Sequence, residues 1–221
     1  MTTIVCRLLF LAGFFFSIIH CTAGSYQRLH SFGALSQSTG EYPQSSLVQD
    51  ANGNFYGTTQ GNGRDGNGLI YKVQSDGSGF TVLKLFTNPD DGSIPLGDVA
   101  LSGNVLYGTT SSDGPSSCGT LFKINTNGTG FTVLHSFDTN ALYPIGGVII
   151  NGNVLYGTTF YGTTLFGGGG GTVYKINTDG TGYTTLHNFT TTDGTSLQAN
   201  VRKYFVRNGE RWRHWRGWNG V

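Results

Sequence analysis

Tyr56-Gly57-Thr58-Thr59 returns as Tyr107-Gly108-Thr109-Thr110 and again as Tyr156-Gly157-Thr158-Thr159, at intervals of 51 and 49 residues. A fixed period of this length marks a tandem array in which each repeat is one supersecondary unit. Other positions keep the same period. Lys72, Lys123 and Lys175 follow the aromatic residues Tyr71, Phe122 and Tyr174, and Phe32, Phe86, Phe137 and Phe189 recur at intervals of 54, 51 and 52.

Within one unit, Asn151-Gly152-Asn153 separates two apolar runs, 147–150 and 154–159, as a hairpin turn does where the chain must adopt positive φ. Asp179-Gly180-Thr181-Gly182 separates two more, 172–177 and 183–189, and matches Asp76-Gly77-Ser78-Gly79 and Asn127-Gly128-Thr129-Gly130 in the earlier units. Four strands per unit follow. With 36 glycines and only 11% charged residues, nothing along the chain supplies the 3.6-residue apolar period of a helix. The fold class expected is all-β: β-propeller-like tandem four-stranded blades, about three and a half of them, in a partial, open array. A β-solenoid is the rival, although its coils are shorter and lack paired hairpin turns. In residues 131–137 alternation places Phe131, Val133 and Phe137 on one face and Leu134 on the other. The glycines inside strands, Gly57, Gly108 and Gly157, predict close approach of a neighbour or a bulge.

Leu106-Tyr107-Gly108-Thr109-Thr110, Gly119-Thr120-Leu121-Phe122-Lys123-Ile124-Asn125 and the run from Gly130 to Phe137 resemble the GloVer tandem repeat family of exported bacterial proteins, over roughly residues 26–200. The resemblance implies a secreted or surface-anchored array. It brings no catalytic residue and no cofactor to carry over.

Residues 1–23 read as a signal peptide: Arg7 is the one charge, 8–19 are apolar, and Cys21-Thr22-Ala23 precedes a cut at Gly24. An uncleaved anchor or a lipid-anchored Cys21 are the alternatives. The location expected is secreted or cell surface. Cleavage leaves Cys118 alone, so no internal disulfide is expected, and with no histidine nearby its thiol reads as structural.

The repeat array is assigned to 24–200, with six basic and eleven acidic residues; the remainder, 201–221, has six basic and one acidic and holds Trp212, Trp215 and Trp218. Tryptophan has a single codon, tgg, and a frame displaced by one base reads its last two bases as the start of a glycine codon. Permitted codons for 201–221 read, one base on, as FGNTLYGTANGGGTGGGGTV, which places a tyrosine near position 206, about 50 residues after Tyr156. That tyrosine lies 12 residues before its Gly-Thr-Val, as Tyr107 lies 12 before Gly119-Thr120-Leu121. The tail thus reads as a frameshifted repeat of a longer array. The rival is a membrane-active or nucleic-acid-binding tail of alternating Arg and Trp; the frame argument favours neither partner, so no nucleic acid and no membrane contact beyond the signal segment are expected.

Chemistry-bearing patterns are weak. His30, His135 and His187 share one repeat position and read as packing residues, without neighbours at metal-ligand spacing. The Asp-Gly turns lack the acidic residue that closes a calcium loop, Gly167–Gly171 is not followed by the Lys-Ser/Thr of a phosphate loop, and Asp90-Asp91 have no partner to split their pKa values. No metal and no cofactor are expected. What varies is the connection from the motif tyrosine to the repeat lysine, of 16, 16 and 19 residues. Variable loops carry function more often than scaffolds do, so Arg64, Asp65, Asp113, Phe160 and Tyr161 are the ligand-face candidates. The function expected is a non-catalytic binding or cell-envelope scaffold whose partner is a glycan or a surface protein. The alternative is an extracellular carbohydrate-active hydrolase or lyase.

Overall fold

In the computed structural model the described residues are 27–32, 39–61, 67–161 and 170–190. Residues 1–23, expected to be a signal peptide, the tail 201–221 and the candidates Arg64 and Asp65 lie outside them.

Each repeat folds as one four-stranded antiparallel meander. The first comprises β1 (Val48–Gln49), β2 (Asn54–Thr59), β3 (Leu69–Gln74) and β4 (Thr81–Leu85). The second comprises β5 (Ala100–Ser102), β6 (Val105–Thr110), β7 (Thr120–Asn125) and β8 (Thr132–Ser136). The third comprises β9 (Ile149–Asn151), β10 (Val154–Thr158), β11 (Thr172–Asn177) and β12 (Thr184–Asn188). The innermost strand of the second sheet, β5, touches both β1 and β9, so the sheets stand side by side like propeller blades in an open array.

The turns do what their residues favour. In the β3–β4 connection and its counterparts, Asp76, Asn127 and Asp179 accept from the amides of Ser78, Thr129 and Thr181 at 2.8, 3.0 and 2.9 Å. The glycines Gly77, Gly128 and Gly180 supply the positive φ. These aspartates serve turn geometry, and that hydrogen bonding holds the Asp76 and Asp179 carboxyls below their ordinary value.

The motif sits at the centre of each blade. Its tyrosine pairs across the ladder with the repeat lysine: Tyr56 with Lys72, Tyr107 with Lys123, Tyr156 with Lys175. Its glycine pairs with the aromatic residue before that lysine, and the ring lies over the missing side chain. A Cβ on Gly57 would lie 2.6 Å from Tyr71 Oη, and one on Gly108 would lie 2.6 Å from Phe122 Cζ. Close approach is therefore the reason for glycine here. The third motif residue ties blades together, as the hydroxyls of Thr58 and Thr109 donate to the carbonyls of Gly97 and Gly146 in the following unit. The fourth ties β6 to β7 and β10 to β11, through Thr110 with Thr120 and Thr159 with Thr172.

Blades pack through apolar faces. Between the first and second lie Tyr56, Ile70, Phe86, Leu106, Phe122 and Ile124, and between the second and third lie Leu121, Phe137, Leu142, Leu155, Tyr174 and Ile176. Burial of side chains this size stabilises by about 1.5–3 kcal/mol each.

One expectation about these faces is corrected. Phe131 and Phe137 do not share a face: Phe131 packs toward the first blade and Phe137 toward the third. The reason is a β-bulge. The β7–β8 register passes from Leu121↔His135 to Phe122↔Val133, leaving Leu134 as an extra residue that inverts the alternation. The same bulge recurs at Leu83 and Leu186.

Candidate functional site

In an antiparallel meander the β2–β3 loop and the connection to the next blade emerge at the same end, so both kinds of longer loop share one face of the array. Pairs of backbone bonds join them: Glu41 with Gly61, Ser93 with Ser112, and Leu142 with Tyr161.

The residue after each of the first partners, with proline next in line, has a left-handed backbone. Tyr42, Ile94 and Tyr143 have φ of 56°, 57° and 56°. This conformation is costly for a β-branched or bulky side chain. It persists because it turns the amide and the carbonyl toward different blades. Ile94 donates to the Asn67 carbonyl of the blade before (2.9 Å) and accepts from Ser111 of its own (3.0 Å). Tyr143 donates to Cys118 (3.1 Å) and accepts from Phe160 (3.0 Å). Each staple thereby fixes the side chain of the strained residue at the loop-rich face.

At the third blade the result is an aromatic cluster. Tyr143 and Tyr161 are 38% and 37% exposed with ring centroids 6.0 Å apart, and Phe160 meets Tyr161 edge to face at 4.6 Å. Tyr42 occupies the position equivalent to Tyr143 in the first unit and is 66% exposed. Of the sequence candidates, then, Phe160 and Tyr161 come together. Asp113 sits in a left-handed turn of the β6–β7 loop, half-buried, where its carbonyl accepts from Gly119 and its backbone bridges to Cys118, the acceptor of the Tyr143 amide. Tyr42 and Tyr143 were missed, although the recurrent dipeptides Tyr42-Pro43, Ile94-Pro95 and Tyr143-Pro144 are visible in the sequence.

Several other titratable groups serve the scaffold. Cys118 is a buried free thiol, and burial together with the nearby Asp138 charge pushes its pKa up, away from nucleophilic use. His135 stacks on Tyr183 and His30 on Phe80, and burial pulls both imidazoles below the ordinary histidine value. Asp91 pairs with Lys84, Asp98 accepts from the Ser46 amide, and Asp50 accepts from Asn54 and Tyr56. Among the described residues no group of His, Cys, Asp and Glu is arranged to hold a metal ion.

A family model described as the Gloeobacter/Verrucomicrobia repeat matches residues 12–160. The chain belongs to this family. No curated protein matches this Gloeobacter/Verrucomicrobia repeat chain significantly. Among solved structures it is similar to a nidogen/laminin complex chain (20% identity, TM-score 0.48, 66% of this chain and 48% of that one). It is also similar to TolB from Agrobacterium tumefaciens (15%, 0.48, 70% and 52%) and to the GH74 enzyme of Niastella koreensis (20%, 0.46, 66% and 22%). The Gloeobacter/Verrucomicrobia repeat chain spans about half the length of the first two.

Proposed function

We propose that the protein is an exported, non-catalytic binding scaffold that takes a glycan on its loop-rich face. The observation that carries this reading is the exposed Tyr143–Tyr161 pair, with Phe160 behind it and Tyr42 at the equivalent place two units earlier. Exposed rings held on a rigid, stapled backbone lose little entropy on binding and present flat apolar faces with a polar rim, which suits the C–H faces of sugar rings. Asp50, Asp91 and Asp98 are engaged in turns and ion pairing, which leaves these three unavailable to flank a scissile bond as a hydrolase or lyase requires of two carboxyls.

The test is retardation in native gels that contain soluble polysaccharides, with reducing-end release followed in parallel. Binding without release is expected, weakened about tenfold by Tyr161→Ala or Tyr143→Ala, on the order of the 0.5–1.5 kcal/mol of an aromatic contact. Release of new reducing ends would transfer the assignment to the enzyme class.

A further inference from the structure

Residues 27–32, Gln27-Arg28-Leu29-His30-Ser31-Phe32, pair with no strand among the described residues, yet they lie on the first blade as one blade's outer strand lies on the next. The Leu29 carbonyl sits over Gly77 as the Leu83 carbonyl sits over Gly128 and that of Leu134 over Gly180; a Cβ on those glycines would lie 2.7, 3.1 and 3.0 Å from the three oxygens. His30 stacks on Phe80 at 3.8 Å and 1°, as His135 stacks on Tyr183 at 3.9 Å and 10°. Phe32 meets Tyr71 at 5.0 Å and 59°, as Phe137 meets Tyr174 at 5.2 Å and 62°. In its two counterparts the strand bearing these groups, β4 or β8, is hydrogen-bonded along one edge to the third strand of its own blade. Segment 27–32 therefore has the placement of an outer strand, and among the described residues no strands occupy the place inside it.

The adjoining face shows where those strands would sit. Leu47 aligns with Val99 and Val148, which are 5% and 7% exposed because the inner strands of the preceding blade cover them, whereas Leu47 is 48% exposed. The outer part of the same face, Leu69, Tyr71 and Val73, is buried with Phe32 packed against it. So, among the described residues, the face is bare at its inner end, beside a strand edge that none of them pairs with.

We infer that this edge and Leu47 form a docking site for the three inner strands of another Tyr-Gly-Thr-Thr repeat, supplied in trans by a second polypeptide and lacking an outer strand of its own. An open edge offers a ladder of amides and carbonyls to any strand. Selection comes from the face, whose shape repeats that of two interfaces already present in the chain and so fits the inner sheet of the same repeat. A complete four-stranded repeat is refused, because its own outer strand occupies the place of 27–32.

The test is co-expression of the full chain with a tagged segment 147–177, which carries β9, β10 and β11 without β12. Capture of the chain in a 1:1 complex by native mass measurement is expected. Segment 147–189, with β12 included, is expected to capture at least tenfold less. Leu47→Asp, at an exposed position that leaves the chain folded, and the Gln27→Pro/Arg28→Pro pair, which removes donors from both edges of the strand, are each expected to cut capture of 147–177 at least tenfold. Absence of capture, equal capture of both segments, or capture untouched by Leu47→Asp would overturn the proposal. So would dimerisation of the chain alone that Leu47→Asp abolishes, since the occupant would then be a second copy.

Discussion

The hydroxyl of Thr109 donates to the carbonyl of Gly146 over 2.8 Å, crossing from one blade into the next in a site that is buried on both sides. Thr109→Val keeps the shape and leaves that carbonyl without its partner, at a cost of about 1–3 kcal/mol. Urea unfolding should show the loss as a lower midpoint with an unchanged slope. The same substitution at Thr158, a half-buried position, should cost less.

Gly108 has no room for a side chain, because the Phe122 ring occupies the space a Cβ would need. Gly108→Ala is expected to destabilise by about 1–3 kcal/mol through overpacking. Pairing it with Phe122→Leu should recover part of the loss, and a double-mutant cycle that returns simple additivity would contradict the close contact.

His135 links stability to pH. Burial against Tyr183 lowers its folded-state pKa, with Asp138 acting in the opposite direction. The unfolded chain then binds more protons than the folded one between the folded pKa and the ordinary value near 6.5. Stability is thus complete above about pH 7 and declines as pH falls through the unfolded pKa toward the folded one. His30 adds to the same slope. Urea titrations at about pH 7.5 and pH 5 check the sign, and His135→Phe, which keeps a stacking ring, should flatten the difference.

Much of this arrangement was legible in the sequence because the period and the turns are local signals. Asn151-Gly152-Asn153 and Asp179-Gly180-Thr181-Gly182 delimit strands wherever they occur, and β11 spans the same residues, Thr172–Asn177, that the pattern gives. The facing of Phe131 and Phe137 was not legible, since one extra residue at Leu134 inverts the parity and leaves no trace in the hydrophobic pattern. Nor was the exposure of Tyr143. A residue before proline favours extended backbone, and only the two bonds to Cys118 and Phe160 hold it in the left-handed region.

Residues 201–221 carry a prediction at the level of the gene. The frame one base on should read through the tail without a stop and spell a Tyr-Gly-Thr segment followed 12 residues later by Gly-Thr and an apolar residue, the spacing from Tyr107 to Gly119. Sequencing the coding DNA beyond codon 200 decides it, and early stops or the absence of a Gly-Thr segment in that frame would remove the reading.

The central claim is that one Tyr-Gly-Thr-Thr unit is one antiparallel blade. Nuclear Overhauser contacts on isotopically labelled protein test it most directly. The account expects cross-strand contacts within each unit, Tyr107 to Lys123 and Gly108 to Phe122, with His135 to Tyr183 between units. Contacts linking Tyr56 to Tyr107 and Tyr107 to Tyr156, as in the stacked parallel coils of a solenoid, would contradict it.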